Sequence, residues 1–456
     1  MRRCVVRIAR VDFNSLMQHL FPGDADEHGA VLLAGYANHG EHCALCVREI
    51  HLAREGIDYV EGSVGYRALA PTFIHRMITR ARDERLVYLA VHNHDSDTTV
   101  GFSRIDLDSH ERGYPALLQI ARGMAVGALV HGRRSMEADI WFPDGTRANL
   151  EHGAVVGTSI LRVSPEPDSG DPASLESYDR QVRWFGQSGQ RQLTRCHVGI
   201  IGLGGVGSLV AEYLARLGVG KFTLVDPDRV EESNLSRIVG ASRDDATVGV
   251  AKVQVAARCI RKANPDAHIE SQIDDVAKES VARSLTACDY LFLAADSMRA
   301  RLVFNAIVHQ YLIPGVQLGS KIHSDPHGRL SDVMSANRPV RPGRGCLWCN
   351  HLIDPTLLAQ EAKTDEERRT QAYGTEQPNP SVITLNAVSA AHAVNDFLLD
   401  YLGLRPEHEP LHYEHFHFLK RSRMLVEPRK DANCPECSHE GRFGRGDSTP
   451  LPCVDG

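Results

Sequence analysis

No stretch of the sequence approaches the ~18 uninterrupted apolar residues of a membrane-crossing helix. The opening Met1-Arg2-Arg3-Cys4-Val5-Val6-Arg7 is charged where a secretory signal needs its apolar core. A cytoplasmic protein with no membrane partner is the expectation. Runs of like charge are also missing, with 51 Lys and Arg against 58 Asp and Glu and a formal net charge of −7. That disfavours a dedicated nucleic-acid surface, which needs clustered cations. Internal repeats and low-complexity tracts are absent as well.

What is present is ordinary globular composition, 42% hydrophobic and 24% charged over 456 residues, enough for two to four domains at about 100–200 residues each. Eleven cysteines in a chain expected in a reducing compartment point to metal or thiol chemistry rather than a disulfide framework, and 23 histidines point the same way. A Pro/Ser/Asp/Gly-rich stretch reads as a linker over residues 163–176. It separates an N-terminal mixed α/β domain (1–162) from a second domain (177–440), and residues 441–456 read as a flexible, glycine-rich tail. In the first domain, β-like runs at 30–34 and 86–91 alternate with helical segments at 71–81 and 105–119. In the second, residues 197–202, 221–226 and 290–294 are strands with helices between them, the βαβ rhythm of a Rossmann-like, mainly parallel sheet.

The run at 86–91 leads into His92-Asn93-His94, with Ser103 and Asp106 a short loop later. Two histidines at i and i+2 plus a carboxylate supply three zinc ligands and leave the fourth position for water, which is catalytic rather than structural coordination. Glu27, ahead of the first β-like run, is the carboxylate expected to move the water's proton; Asp24, Asp26 and Glu41 lie nearby as alternatives. These residues resemble the JAMM (Mov34/MPN-type) metalloprotease motif. The resemblance implies that His92, His94 and Asp106 bind zinc, that Glu27 is the general acid/base, and that Ser103 stabilises the tetrahedral oxyanion. Two departures stand out: Asp95 replaces the usual proline after the second histidine, and the spacer to Ser103 is eight residues. Asp95 is kept as an outer-shell group.

In the second domain, Gly202-Leu203-Gly204-Gly205-Val206-Gly207 is a G-x-G-x-x-G turn that lets backbone amides and a helix N-terminus approach phosphate. Asp226 follows at the distance of a ribose contact. An NAD-dependent oxidoreductase shares these features. Asp228, Asn234, Arg237, Lys252 and Asp296 add cations and a second carboxylate, which hydride transfer does not require and adenylyl chemistry does. With Tyr178-Asp179-Arg180-Gln181 upstream, the ensemble resembles the ThiF/MoeB family of ubiquitin-activating-enzyme-like adenylyltransferases over about residues 177–429. The resemblance implies a phosphate turn of Gly204, Gly205 and Gly207 at the end of the Gly202 strand, with Asn234, Arg237 and Lys252 facing the phosphates. It also implies that Asp296 holds Mg2+, and that Arg180 reaches into the active site of a homodimer partner. Separately, Cys346-x-x-Cys349 and Cys434-x-x-Cys437 form a paired CxxC motif, the signal of a closed, structural Cys4 zinc site.

Together these readings imply a bifunctional enzyme using ATP, Mg2+ and two zinc ions, one catalytic and one structural. It would trim or release a ubiquitin-like protein at its C-terminal glycine and adenylate that glycine. The alternative is activation of a sulfur-carrier protein for thiocarboxylate formation. Residues 350–386, where such activating enzymes often carry a thioester cysteine, contain none. The activated carrier is therefore expected to pass to an external thiol, such as that of a conjugating enzyme, or to receive sulfur, and residues 363–380 are expected to cross over the carrier's tail.

Overall fold

The computed structural model describes residues 2–60, 67–167, 176–325, 327, 329–362, 380–406 and 408–454. Residues 168–175 of the expected linker and 363–379 of the expected crossover segment lie outside the described residues. The chain divides into two compact units. One comprises Met1–Asp171, Gln310–Leu312 and Arg442–Pro450; the other comprises Pro172–His309, Ile313–Gly441 and Leu451–Gly456.

The first unit runs β1 (Arg2–Ala9), α1 (Arg10–Leu20), β2 (Gly29–His39), β3 (His42–Leu52), α2 (Pro71–Glu84), β4 (Val87–Asn93), α3 (Arg104–Ala121), β5 (Val126–His131), β6 (Met136–Trp141), β7 (Arg147–Val156) and β8 (Ile160–Val163). Its sheet order is β1-β3-β2-β4-β5-β6-β7-β8, and β1 also pairs in parallel with β7. Seven strands thus close on themselves, and closure removes the free edges an open sheet would leave. β4 is apolar on both faces for a reason. Val87, Leu89 and Val91 pack with Leu16 and Leu20 of α1, while Leu86 and Tyr88 pack with Phe73 and Ile78 of α2 and Tyr114 of α3. A strand buried on both sides reads as a continuous apolar run.

The tail expected to be flexible is instead built into this unit. The amide of Gly35 in β2 donates to the carbonyl of Gly444 at 3.1 Å, the amide of Asn38 donates to Asp447 at 2.9 Å, and Arg445 pairs with Glu84 at 3.0 Å. A Cβ on Gly35 would fall 2.3 Å from the Gly444 carbonyl oxygen. The glycines that suggest fraying have the opposite effect. Gly444 (φ +64°) and Gly446 (φ +52°) take left-handed conformations that turn the chain onto β2.

The second unit runs α4 (Asp179–Arg195, broken at Gly186), β9 (His197–Ile201), α5 (Gly205–Arg216), β10 (Lys221–Val225), α6 (Arg243–Val248), α7 (Lys252–Ala263), β11 (His268–Gln272), α8 (Glu279–Ser284), β12 (Tyr290–Leu293), α9 (Met298–Gln310), β13 (Gly315–Ser324), β14 (Leu330–Val340), α10 (Pro355–Glu361), α11 (Ile383–Tyr401), β15 (Tyr413–His417) and β16 (Ser422–Val426). The sheet order is β11-β10-β9-β12-β13-β14-β15-β16. The first five strands are parallel and the last three antiparallel. Chain order reverses at β9, which lies between β10 and β12, so the crevice for a ligand opens at the carboxyl ends of β9 and β12. Among the described residues, no helix is long and apolar enough to cross a membrane.

Candidate functional site

Three constellations carry the chemistry. In the first unit, residues two apart on an extended chain share a side, so the imidazoles of His92 and His94 meet at the end of β4 with Nε2 atoms 3.2 Å apart. Asp106, on the first turn of α3, brings Oδ1 within 3.5 Å of His92 and Oδ2 within 3.4 Å of His94. Glu27 places Oε1 3.9 Å from His94. The three expected ligands offer donor atoms within 4.8 Å of one another. Two imidazoles and one carboxylate suit zinc with an open coordination position. Burial works to raise the Asp106 pKa, but bonds from His92, His94 and Ser103 overcome it and hold the carboxyl far below the usual range. The bond to Asp106 raises the His94 pKa against the effect of burial. Burial raises the Glu27 pKa, against the opposing charges of His92 and His94.

Ser103 is tied to Asp106. Its amide donates to Asp106 Oδ2 at 2.8 Å, and its Oγ accepts from the Asp106 amide at 3.2 Å, a reciprocal cap that starts α3 and fixes the carboxylate. Asp95, expected as an outer-shell group, is 95% exposed and lies 3.5 Å from Arg133. Sequence reasoning passed over Asn93. Its buried side chain accepts from the His28 amide at 2.6 Å, tying the Glu27 loop to β4 between the two histidines.

The four cysteines of the paired motif gather in the second unit, with Sγ separations of 3.5 Å (Cys346–Cys349), 3.7 Å (Cys346–Cys434) and 3.6 Å (Cys349–Cys437). The bond with Cys437 brings the Cys346 thiol down to about 6 against the effect of burial. Four thiols at this spacing match a closed tetrahedral zinc site. Of the remaining cysteines, Cys196 and Cys288 are buried, and Cys259 on α7 is half-buried.

At the crevice, Gly202 turns the chain at φ +89°, and a Cβ on Gly207 would fall 1.8 Å from the Gly202 carbonyl oxygen. Gly204 caps the N-terminus of α5 and has nothing within 4 Å of its Cβ position, so a phosphate can approach the backbone there. Asp226 is buried, and burial raises its pKa. Its oxygens accept from the amides of Leu203 (2.6 Å) and Asp228 (2.9 Å), fastening the glycine turn to β10. Lys252 stands 2.7 Å from Asp228 and 4.0 Å from Asp226, with its side chain only 13% exposed, so it is not a solvated lysine. Arg237 donates to the Ser233 carbonyl and lies against Gly205.

Asn234, expected to face the phosphates, closes a turn in this structure. It is buried, accepts from the Glu231 amide and donates to Ser233 Oγ, closing its own short turn. Asp296 is exposed just beyond β12, and it does not cap α9. Ser297 and Glu361 do that, accepting the Ala300, Met298 and Arg299 amides. Arg180 is exposed on the first turn of α4.

The ThiF family model matches residues 178–436, more than half of the chain. The chain belongs to the ThiF family. Among its relatives is the tRNA threonylcarbamoyladenosine dehydratase of Escherichia coli K12, 36% identical over 139 residues, covering 30% of this chain and 51% of the relative. The SAMP-activating enzyme E1 of Haloferax volcanii is 35% identical over 181 residues, covering 39% of this chain and 63% of the relative. The sulfur carrier protein ThiS adenylyltransferase of Bacillus subtilis is 35% identical over 177 residues, covering 38% and 49%. The chain thus spans between about half and two thirds of each relative's length.

Within the ThiF-family unit the sequence concealed one further crevice residue. Asn386 of α11 is buried, and its Nδ2 lies 2.3 Å from where a Gly205 Cβ would stand. The same amide group donates to Ser381 Oγ at 3.0 Å. Nothing near Asn386 in sequence marks it, because its neighbour is the glycine turn far upstream.

Proposed function

We propose that the ThiF-family unit adenylates the C-terminal glycine carboxylate of a ubiquitin-like or sulfur-carrier protein, and that the first unit is a JAMM-type zinc hydrolase acting after that same glycine. The observation that carries the first half is the crevice itself. An open glycine turn, a half-buried Arg237, a nearly buried Lys252 and an exposed Asp296 converge where the chain order reverses. The carboxylate oxygen attacks the α-phosphorus of ATP and pyrophosphate leaves. Lys252 and Arg237 offset the charge that develops on the phosphates, and Asp296 would supply the oxygen ligand for Mg2+. Asp226 holds the turn that receives the nucleotide. Arg180, exposed on α4, would complete the site of a second copy in a homodimer.

In the first unit, His92, His94 and Asp106 would hold a zinc ion, which supplies a water of lowered pKa. Glu27, 3.9 Å from His94, would be the carboxylate placed to take up and release a proton beside such a group. Ser103 and Asn93 keep the ligands and the base in place. The names of two relatives, an activating enzyme and a sulfur-carrier adenylyltransferase, support both versions of the carrier equally. Residues 350–386 contain no cysteine, so the adenylate passes to an external thiol, as in ligation, or to a sulfur donor.

ATP–pyrophosphate exchange that depends on a small protein ending in glycine tests the reading, and no exchange with any such protein overturns it. Glu27→Ala should abolish cleavage of that protein's C-terminal extension and leave exchange intact, while Asp296→Ala should do the reverse. Loss of both activities from either substitution contradicts two separate sites. Mass analysis of the carrier after reaction separates a thioester from a thiocarboxylate.

A further inference from the structure

A cavity of about 130 Å³ opens in the first unit beside Glu27, which lines it together with Phe21, Asn93, Asp95 and Arg133. It has room for on the order of ten waters, the bulk of a residue or two rather than of a folded partner. A carboxylate that protonates a departing amine stands next to it, so a cavity lined by Glu27 is placed for whatever that amine carries away. Asp24 and Asp26 line it too, but both are engaged, Asp24 with His28 at 2.9 Å and Asp26 with Arg67. Arg133 is the one cation among the lining residues. Its one ion pair among the described residues is with Asp95, 95% exposed, at 3.5 Å, a contact of little strength in water. The guanidinium also sits over the Phe21 ring, 5.0 Å from its centre. With five N–H donors to offer, it keeps several for a ligand. The turn that carries Arg133 is fastened to the loop behind His94. The Arg133 amide donates to the Ser96 carbonyl at 2.9 Å, the Arg134 amide to the Asp97 carbonyl at 2.8 Å, and the His94 amide to the His131 carbonyl at 2.9 Å. Arg134 pairs with Asp97, and a Cβ on Gly132 would fall 2.3 Å from Ser135 Oγ. The backbone of Arg133 is thus set relative to the histidine pair before any ligand arrives, which lowers the cost of binding one.

We propose that this cavity receives the residues that follow the scissile glycine and that Arg133 binds their terminal carboxylate. The substrate is then a carrier precursor with a short C-terminal extension rather than a carrier joined to a lysine. A guanidinium meets a carboxylate with two parallel N–H bonds. A lysine isopeptide brings no carboxylate to that place, because its nitrogen continues into a four-carbon stem. The inference rests on the hydrolase reading and narrows its substrate.

Three fluorescein-labelled peptides test it. One ends in Gly-Gly-Ala-Ala as the free acid, the second is the same peptide with an amidated C-terminus, and the third joins Gly-Gly to the Nζ of a lysine inside an amidated peptide. Binding is measured by anisotropy on the zinc-loaded full chain carrying Glu27→Gln, so that no peptide is consumed. The free acid should bind about tenfold tighter than the amide. Arg133→Gln should erase that preference, Arg133→Lys should keep part of it, and Asp95→Asn should tighten the free acid by removing the competing carboxylate. The Arg133 side chain is half exposed, and an unchanged melting temperature verifies that each variant is folded. Equal binding of acid and amide overturns the proposal, as does a preference that survives Arg133→Gln, or an isopeptide that binds as tightly as the free acid. Cleavage by the chain with Glu27 intact is scored separately. A preference for the free acid without cleavage upholds the carboxylate site and counts against hydrolysis, so the two failures are not confused.

Discussion

The two donor clusters solve opposite problems. Cys346, Cys349, Cys434 and Cys437 close a ring of four thiols, two of which come from a segment 88 residues downstream of the others. His92, His94 and Asp106 come from one strand end and one helix start, stop at three donors, and leave Glu27 beside the gap. A full donor set holds distant chain together, whereas an incomplete one keeps room for a reactant. Their settings agree with this. Three of the cysteines are buried, while the histidines and the aspartate are half-buried at a rim.

Several substitutions sharpen or break that contrast. Cys437→Ser should have the largest effect, because closed zinc sites contribute on the order of 10 kcal/mol to folding. One metal equivalent should be lost by mass spectrometry under native conditions, and proteolysis should enter the segment around Cys434. His94→Ala should also cost one metal equivalent and all hydrolysis, yet shift stability by less than about 1 kcal/mol. If both variants melted alike, the distinction between a clasp and a working site would fail.

Smaller effects are expected where glycine alone fits. Gly207→Ala places a methyl on the Gly202 carbonyl; overpacking of this kind costs about 1–3 kcal/mol, and ATP binding by calorimetry should weaken with it. Gly35→Ala strikes the Gly444 carbonyl and should cost a similar ~1–3 kcal/mol, read in the unfolding of the first unit with adenylation unchanged. Ser103→Ala removes one cap, about 1 kcal/mol. Because the cap orients Asp106, metal affinity at the histidine site should fall roughly tenfold.

Much of this was legible because the relevant signals are short-range. The apolar runs of β9, β10 and β12 announce strands buried on both faces, and the expected ranges end within one residue of the observed ones. His-x-His and the two CxxC pairs carry their geometry in their spacing. What stayed hidden depends on pairing across long separations. Arg2–Ala9 pairs with Arg147–Val156 to close the sheet, and nothing in either segment names the other. Asn386 reaches Gly205, and Arg338 reaches Gln317, through folding rather than through any local pattern. The turn that Asn234 closes was hidden for a related reason. A short polar side chain after a strand serves a turn as readily as a ligand, and the bond from the Glu231 amide appears only in the folded chain.

The docked segment Arg442–Pro450 also sets a timetable. A protein is made from its N-terminus, and domains ordinarily fold as they emerge. Here the first unit includes a piece, Arg442–Pro450, that is synthesised long after Asp171. At about 5–20 residues per second, the roughly 270 residues between Asp171 and Arg442 impose a wait of about 15–55 s before β2 meets the strand of chain that covers it. The first unit therefore completes its fold only after the ThiF-family residues 178–436 have been synthesised.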